Sequence, residues 1–246
     1  MKIRFSIFSL LLLGTFVFLL VGCQKKTEME NNVPFTIEAI KMEPAPLNKV
    51  FKIVAPKPDE VMGDEIQVYF SAAGFNISED GFHLHFILDD GDIIEHTVPN
   101  SPVKFKNLGS GPHVIRAFVV DNDHLIVKTS RTFDMVQFYT NEAVGNMHID
   151  NSSPMLLLNV PSGDYDSGDS EGVKFDFWLS NAKLGIFDYK LRYSLDGNEG
   201  VLELWKPYEI KNLSQGKHKL TLDLLDPNGK PVLGNFNHTI RTFVVK

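Results

Sequence analysis

Lys106-Asn107-Leu108-Gly109-Ser110-Gly111-Pro112-His113-Val114-Ile115-Arg116-Ala117-Phe118 returns in outline as Lys211-Asn212-Leu213-Ser214-Gln215-Gly216-Lys217-His218-Lys219-Leu220-Thr221-Leu222-Asp223. In each copy a Leu is followed three residues later by a Gly and two further on by a His. A run of strand character then leads to an Asp turn, Asp121-Asn122 in the first copy and Asp226-Pro227-Asn228-Gly229 in the second. Gly takes a sharp bend, and the apolar or alternating residues after it suit a packed strand, so the stretch reads as a corner between two strands of a β-sandwich. Two corners predict a duplicated unit.

The match extends upstream. Pro102 faces Pro207, His83-Leu84-His85-Phe86-Ile87-Leu88-Asp89 faces Lys190-Leu191-Arg192-Tyr193-Ser194-Leu195-Asp196, and Ile66-Gln67-Val68-Tyr69-Phe70 faces Val173-Lys174-Phe175-Asp176-Phe177. Short alternating segments separated by turn residues give an all-β reading of two tandem immunoglobulin-like antiparallel sandwiches, at 48–140 and 153–246, joined by a linker at 141–152. Strands are expected near 50–54, 65–71, 82–89, 93–98, 103–106, 113–120 and 133–139, and near 155–159, 173–179, 187–195, 200–205, 208–211, 217–225 and 238–245. Phe86, Leu88, Phe175 and Phe177 belong to the cores, and 19 Phe residues offer aromatic packing in place of a disulfide.

Ahead of the sandwiches, Met1-Lys2-Ile3-Arg4 precedes an uncharged, mostly apolar run from Phe5 to Val21, the pattern of a signal peptide over 1–22. The run is short for a spanning helix. Leu20-Val21-Gly22-Cys23 resembles the lipobox of bacterial lipoproteins, which implies acylation of Cys23 and cleavage before it. Cys23 is the single cysteine of the chain, so an acylated Cys23 leaves no thiol for a disulfide, a nucleophile or a metal. Each buried methylene of an acyl chain contributes about 0.8 kcal/mol, and several chains hold a protein on a bilayer. Gln24 stands where an Asp would favour inner-membrane retention, so the resemblance implies a bacterial cell envelope location at the outer membrane. Residues 23–47 read as a polar, Pro-punctuated lipidated tether, in which Phe35, Ile37 and Ala39 alternate as a short strand would.

The net charge is −7, and loss of residues 1–22 removes Lys2 and Arg4 and no acid, giving −9. An acidic chain does not suit nucleic acid, whose phosphates call for a basic patch.

Further stretches narrow the resemblance: Phe82 to Gly91, Gly111 to Phe118, Phe175 to Ala182, Trp205 to Tyr208 and Asn235 to Arg241 are similar to a family of uncharacterised two-domain bacterial secreted or lipid-anchored proteins. Some members bear the label phosphopeptide-binding protein, which implies a phosphopeptide ligand. Members carry an aromatic and His-Glu segment after the Arg-Ala-Phe strand, where this chain has Asp121-Asn122-Asp123-His124.

For chemistry, His83 and His85 lie two apart on a strand and leave the same face, as a copper or zinc site would require. The second copy places Lys190 and Arg192 there, which reads as a solvated surface, so no metal is expected at the pair. His113 and His218 share one position in both repeats and read as corner residues bonded to backbone. Asp164, Asp166 and Asp169 crowd oxygens around Gly168, but without the order of a calcium loop. No nucleophile elbow, zincin pair or phosphate loop is present, so no enzyme and no cofactor are expected. The candidate binding face is on the second sandwich. In 173–179 Lys174, Asp176 and Trp178 point away from the core, and beside them Glu203 and Trp205 point outward from a fourth strand in the same sheet. The rings either bury against the linker or first sandwich, or form a platform for a protein or glycan partner. The leading reading is a non-catalytic envelope lipoprotein acting as a binding or spacer module. Its alternatives are a phosphopeptide- or carbohydrate-binding module and a periplasmic metal-handling protein.

Overall fold

The computed structural model describes residues 34–42, 48–145, 147, 149–166 and 172–246. The signal segment and Cys23 lie outside the described residues. Seventeen strands and no helix occur among those described. In chain order they are β1 (Thr36–Ala39), β2 (Val50–Ala55), β3 (Val61–Met62), β4 (Ile66–Ala73), β5 (His83–Leu88), β6 (Ile93–His96), β7 (Val103–Phe105), β8 (Gly111–Val120) and β9 (Phe133–Thr140). The second half continues with β10 (Met155–Val160), β11 (Gly163–Tyr165), β12 (Val173–Ser180), β13 (Lys190–Leu195), β14 (Asn198–Leu202), β15 (Tyr208–Lys211), β16 (Gly216–Leu225) and β17 (His238–Val245).

The first sandwich packs a β2-β4-β7 sheet on a β3-β9-β8-β5-β6 sheet, and the second packs β1-β15-β12-β10 on β11-β17-β16-β13-β14. Each strand from β2 to β9 thus has a counterpart eight elements later. The cores are separate. Phe51, Phe86, Ile115 and Phe138 centre the first, and Phe175, Phe177, Leu222 and Phe243 the second.

The duplicated corner is built twice with the same bonds. Gly111 and Gly216 have φ of 120° and 134°, and Asn107 and Asn212 have φ of 58° and 60°, a backbone that Gly and Asn enter most readily. His113 Nδ1 meets Asp89 Oδ2 at 2.7 Å and its Nε2 meets Gly109 O at 3.0 Å. His218 does the same with Asp196 at 2.6 Å and Ser214 O at 2.8 Å. The same carboxylates accept the next backbone N–H, Val114 or Lys219, each at 2.8 Å. The corner histidine therefore ties the bend to the turn that ends β5 or β13.

The structure adds to the sequence expectations at three places and corrects one, the fourth strand of the second sandwich. The tether holds a strand whose partner lies far along the chain: β1 pairs antiparallel with β15, Ile37 opposite Ile210, and Phe35 and Ile37 pack on the second core. An extended alternating segment has its backbone groups satisfied there, at the edge where the first sandwich leaves β7 as the last strand. The linker is not merely a connector, because Met147 and Ile149 pack into a third apolar cluster between the sandwiches. The fourth strand of the second sandwich ends at Leu202 and pairs with β13, so it belongs to the opposite sheet from β12, and Leu204 is exposed. Finally, the two-residue β3 and three-residue β11, each parallel to the end of β9 or β17, are too short to leave a periodic signal.

Candidate functional site

The third cluster forms a seam. Ile87, Val114, Phe118, Val120 and Ile126 of the first sandwich meet Met155, Leu157, Trp178 and Phe236 of the second. These residues come from β5 and β8, from β10 and β12, and from the turns after β8 and β16, so the outer face of one five-stranded sheet is covered by the outer face of the other sandwich's four-stranded sheet. Phe118 stacks on Phe133 at 5.2 Å, Phe133 on Trp178 at 5.1 Å, and Trp178 meets Trp205 edge-on at 5.2 Å between ring centroids. Offset and edge-on aromatic pairs of this kind add to burial.

The candidate platform is therefore enclosed. Trp178 is 4% exposed and donates its indole N–H to Ser180 Oγ at 2.8 Å, while the half-buried Trp205 donates to Phe177 O at 3.1 Å. Asp176, expected to face outward, is fully buried. Its carboxylate accepts Lys128 Nζ at 2.5 Å and the Ile126 N–H at 2.7 Å, and Lys128 also donates to Phe177 O at 2.6 Å. Lys128 comes from the first sandwich, so an ion pair with side chains 1% and 0% exposed crosses the seam. Burial pulls Lys128 down and pushes Asp176 up from their ordinary pKa values, each opposed by the partner's charge. Arg116 is buried over the Phe236 ring at 4.7 Å and donates to Asp89 O. Its desolvation brings the guanidinium to about 10, which still leaves it charged at neutral pH.

Beside the seam three imidazoles converge. His83 and His85 do share one face of β5, but the second sandwich covers that face, leaving them 3% and 1% exposed. The solvated surface that the second copy suggested does not exist here. The turn after β8 adds His124. Its Nδ1 lies 3.0 Å from His83 Nε2 and 3.2 Å from His85 Nε2, with Glu95 Oε1 at 3.5 Å. On their far sides, His83 Nδ1 faces Gly81 O at 3.2 Å and His85 Nδ1 faces Asn159 Oδ1 at 2.7 Å. Asn159, from β10, also donates its amide to His124 O at 2.8 Å. Burial, only partly offset by the Asn159 bond, pushes His85 down to about 3.

His124 was not legible as part of this group, since it lies 39 positions from His85. One signal was available. The turns Asp121-Asn122-Asp123-His124 and Asp226-Pro227-Asn228-Gly229 are equivalent, and each Asp carboxylate caps the turn through backbone N–H groups two and four residues on. His124, at φ 59°, occupies the position that Gly229 fills at φ 77° in the other copy. A side chain is held where the copy without one uses Gly.

His124 opens into a cleft of about 900 Å³ lined by Asp92, Glu95, Asp123, Asp164, Asp166 and Lys174, among others. Lys174 binds Glu209 at 3.0 Å, and Asp164 binds Lys246 at 2.6 Å. Glu203 pairs with Lys190 at 3.4 Å, and Asp169 lies outside the described residues. The structure thus brings Trp178 and Trp205 together, sets Lys174, Asp164 and Asp166 around the cleft, and leaves Glu203 with Lys190.

No protein-family model matches the sequence, and no curated protein is similar to it. Solved structures are. The fibronectin(III)-like modules of Clostridium thermocellum CbhA are 14% identical, with 80% of this chain and 94% of that one covered and a TM-score of 0.30. The central fibronectin-III array of RIM-binding protein is 10% identical over 82% of this chain and 68% of that one, with a TM-score of 0.24. Three N-terminal domains of the bacteriophage RB49 highly immunogenic outer capsid protein are 7% identical over 80% and 69%, with a TM-score of 0.23.

Proposed function

We propose that the chain is a non-catalytic cell-envelope lipoprotein, anchored through Cys23, that serves as a binding or spacer module built from two sandwiches fused into one body. The observation that carries the fused body is the seam. A stacked aromatic row and a buried Lys128–Asp176 pair join elements of both sandwiches, and a buried charge pair is costly unless both partners stay in register. The lipobox-like Leu20 to Cys23 supports the anchor, and by its resemblance to bacterial lipoproteins the outer membrane is the site.

The ligand side is narrowed by charge. The cleft beside the seam carries five carboxylates for one lysine, and that lysine is paired, which disfavours a phosphopeptide there. The enclosed tryptophans offer no open strip for a sugar. A protein partner, or spacing alone, suits the surface better.

The test is fractionation. The wild-type chain is expected with the membranes, and Cys23→Ala is expected soluble or unprocessed. An Ala variant that is still cleaved and membrane-bound would contradict the anchor.

A further inference from the structure

We propose that His83, His85 and His124 bind one divalent transition-metal ion, zinc by the character of the donor set. This goes beyond the module reading above and does not depend on membrane anchoring.

Gly81 O can only accept, so His83 carries its proton on Nδ1 and turns a lone pair outward from Nε2. Asn159 donates through Nδ2 to His124 O, which leaves its Oδ1 to accept from His85 Nδ1. His85 therefore also presents a bare Nε2. Both lone pairs point at His124 Nδ1, at 3.0 and 3.2 Å, and that atom can bring at most one proton. A cation at the common point would serve all three nitrogens at once.

The spacing agrees. Zinc binds imidazole nitrogen at about 2.0–2.1 Å, so two nitrogens on a tetrahedral ion lie about 3.3 Å apart. The three ligand atoms all fall within 4.8 Å of one another; His124 Nδ1 already stands near that spacing from each of the other two nitrogens, and the widest separation would shorten as the rings turn onto the ion. Glu95 is positioned to be the fourth ligand or to hold a water in that place. Metal-bound histidines are ordinarily oriented by a carbonyl or carboxylate on the other ring nitrogen. Gly81 O and Asn159 Oδ1 do that here. The surrounding Asp92, Asp123 and Glu95 supply negative potential at the mouth, and His124, with its side chain 44% exposed, is the side from which an ion enters.

Histidine at the left-handed turn position fits the same account. The second copy lacks the site, having Lys190 and Arg192 on β13, and has Gly229 in the turn. Asn159 belongs to the second sandwich, so the ion would also fasten the seam.

The test uses the full mature chain stripped with chelator and titrated with Zn²⁺ alone. One equivalent is expected, with a rise in Tm and, with Co²⁺ in its place, the visible absorption of a four-coordinate site. His124→Gly should weaken Zn²⁺ binding at least about 100-fold, and Asn159→Ala about 10–100-fold. His124→Gly restores the residue that the second copy uses at that turn, so its β-sheet circular dichroism should match wild type. A folded wild-type chain that takes up no Zn²⁺ overturns the site, and so does uptake that His124→Gly leaves unchanged.

Discussion

The outer faces of the two five-stranded sheets began as the same surface and now do opposite things. In the first sandwich, β8 is buried along nearly its whole length, and the outward positions Val114, Arg116 and Phe118 are covered by the second sandwich. In the second, the equivalent β16 positions Lys219, Thr221 and Asp223 alternate with buried Leu220, Leu222 and Leu224, as they do in a sheet with one wet face. Where Phe118 stacks on Phe133, the other copy pairs Asp223 with His238 at 2.7 Å. Where His85 sits against Asn159, it has Arg192 bonded to Asp223 at 2.9 Å. The lesson is that a shared fold fixes the inner face and the corners, while the outer face is free to become a surface or an interface.

The comparison breaks most sharply at its ion pairs. Asp176→Ala strands the Lys128 ammonium in the seam and is expected to cost about 3–5 kcal/mol. Asp223→Ala leaves behind partners that water can reach, Arg192 and His238 with side chains 40% and 61% exposed on the corresponding outer face of the second sandwich, and is expected to cost less than about 1 kcal/mol. Urea unfolding monitored by circular dichroism measures both, and equal losses would contradict the assignment of seam and surface.

A smaller effect is expected at the corner of the first sandwich. Burial pulls the His113 imidazole down, but its bonds to Gly109 O and Asp89, and the charge of that carboxylate, outweigh this, so its pKa lies above the ordinary value. A base whose folded pKa is raised contributes stability that is complete below the ordinary value of about 6.5 and is lost as pH rises through the folded value. His113→Gln should therefore cost more Tm at about pH 6 than at about pH 9, and a loss independent of pH would contradict the ionic role.

Much of this was legible in the sequence. The Leu-x-x-Gly-x-His corner is written twice, and its bend, its Asp turn and its core Phe positions all follow from local rules that each copy repeats. The seam was written less plainly. Val114 to Val120, but for Arg116, and Met155 to Leu158 run apolar where a half-buried strand alternates, a mark of burial on both faces, but periodicity does not say which two faces meet. For the same reason Asp176 and Lys174 look alike as polar residues on one face, yet the first lies under the other sandwich and the second at the cleft. The partner of β1 and the approach of His124 to His85 are products of tertiary assembly, and no local signal carries them. The copy-to-copy change from Gly229 to His124 was visible, but its meaning required the seam.

The chain has two tryptophans, both at the seam, so intrinsic fluorescence reads the central claim directly. In a Trp205→Phe variant the remaining emission belongs to Trp178, stacked on Phe133 and 4% exposed. The fused-body account predicts emission to the blue of free indole and weak quenching by acrylamide, whereas emission near that of free indole with ready quenching would show the two sandwiches to be separate.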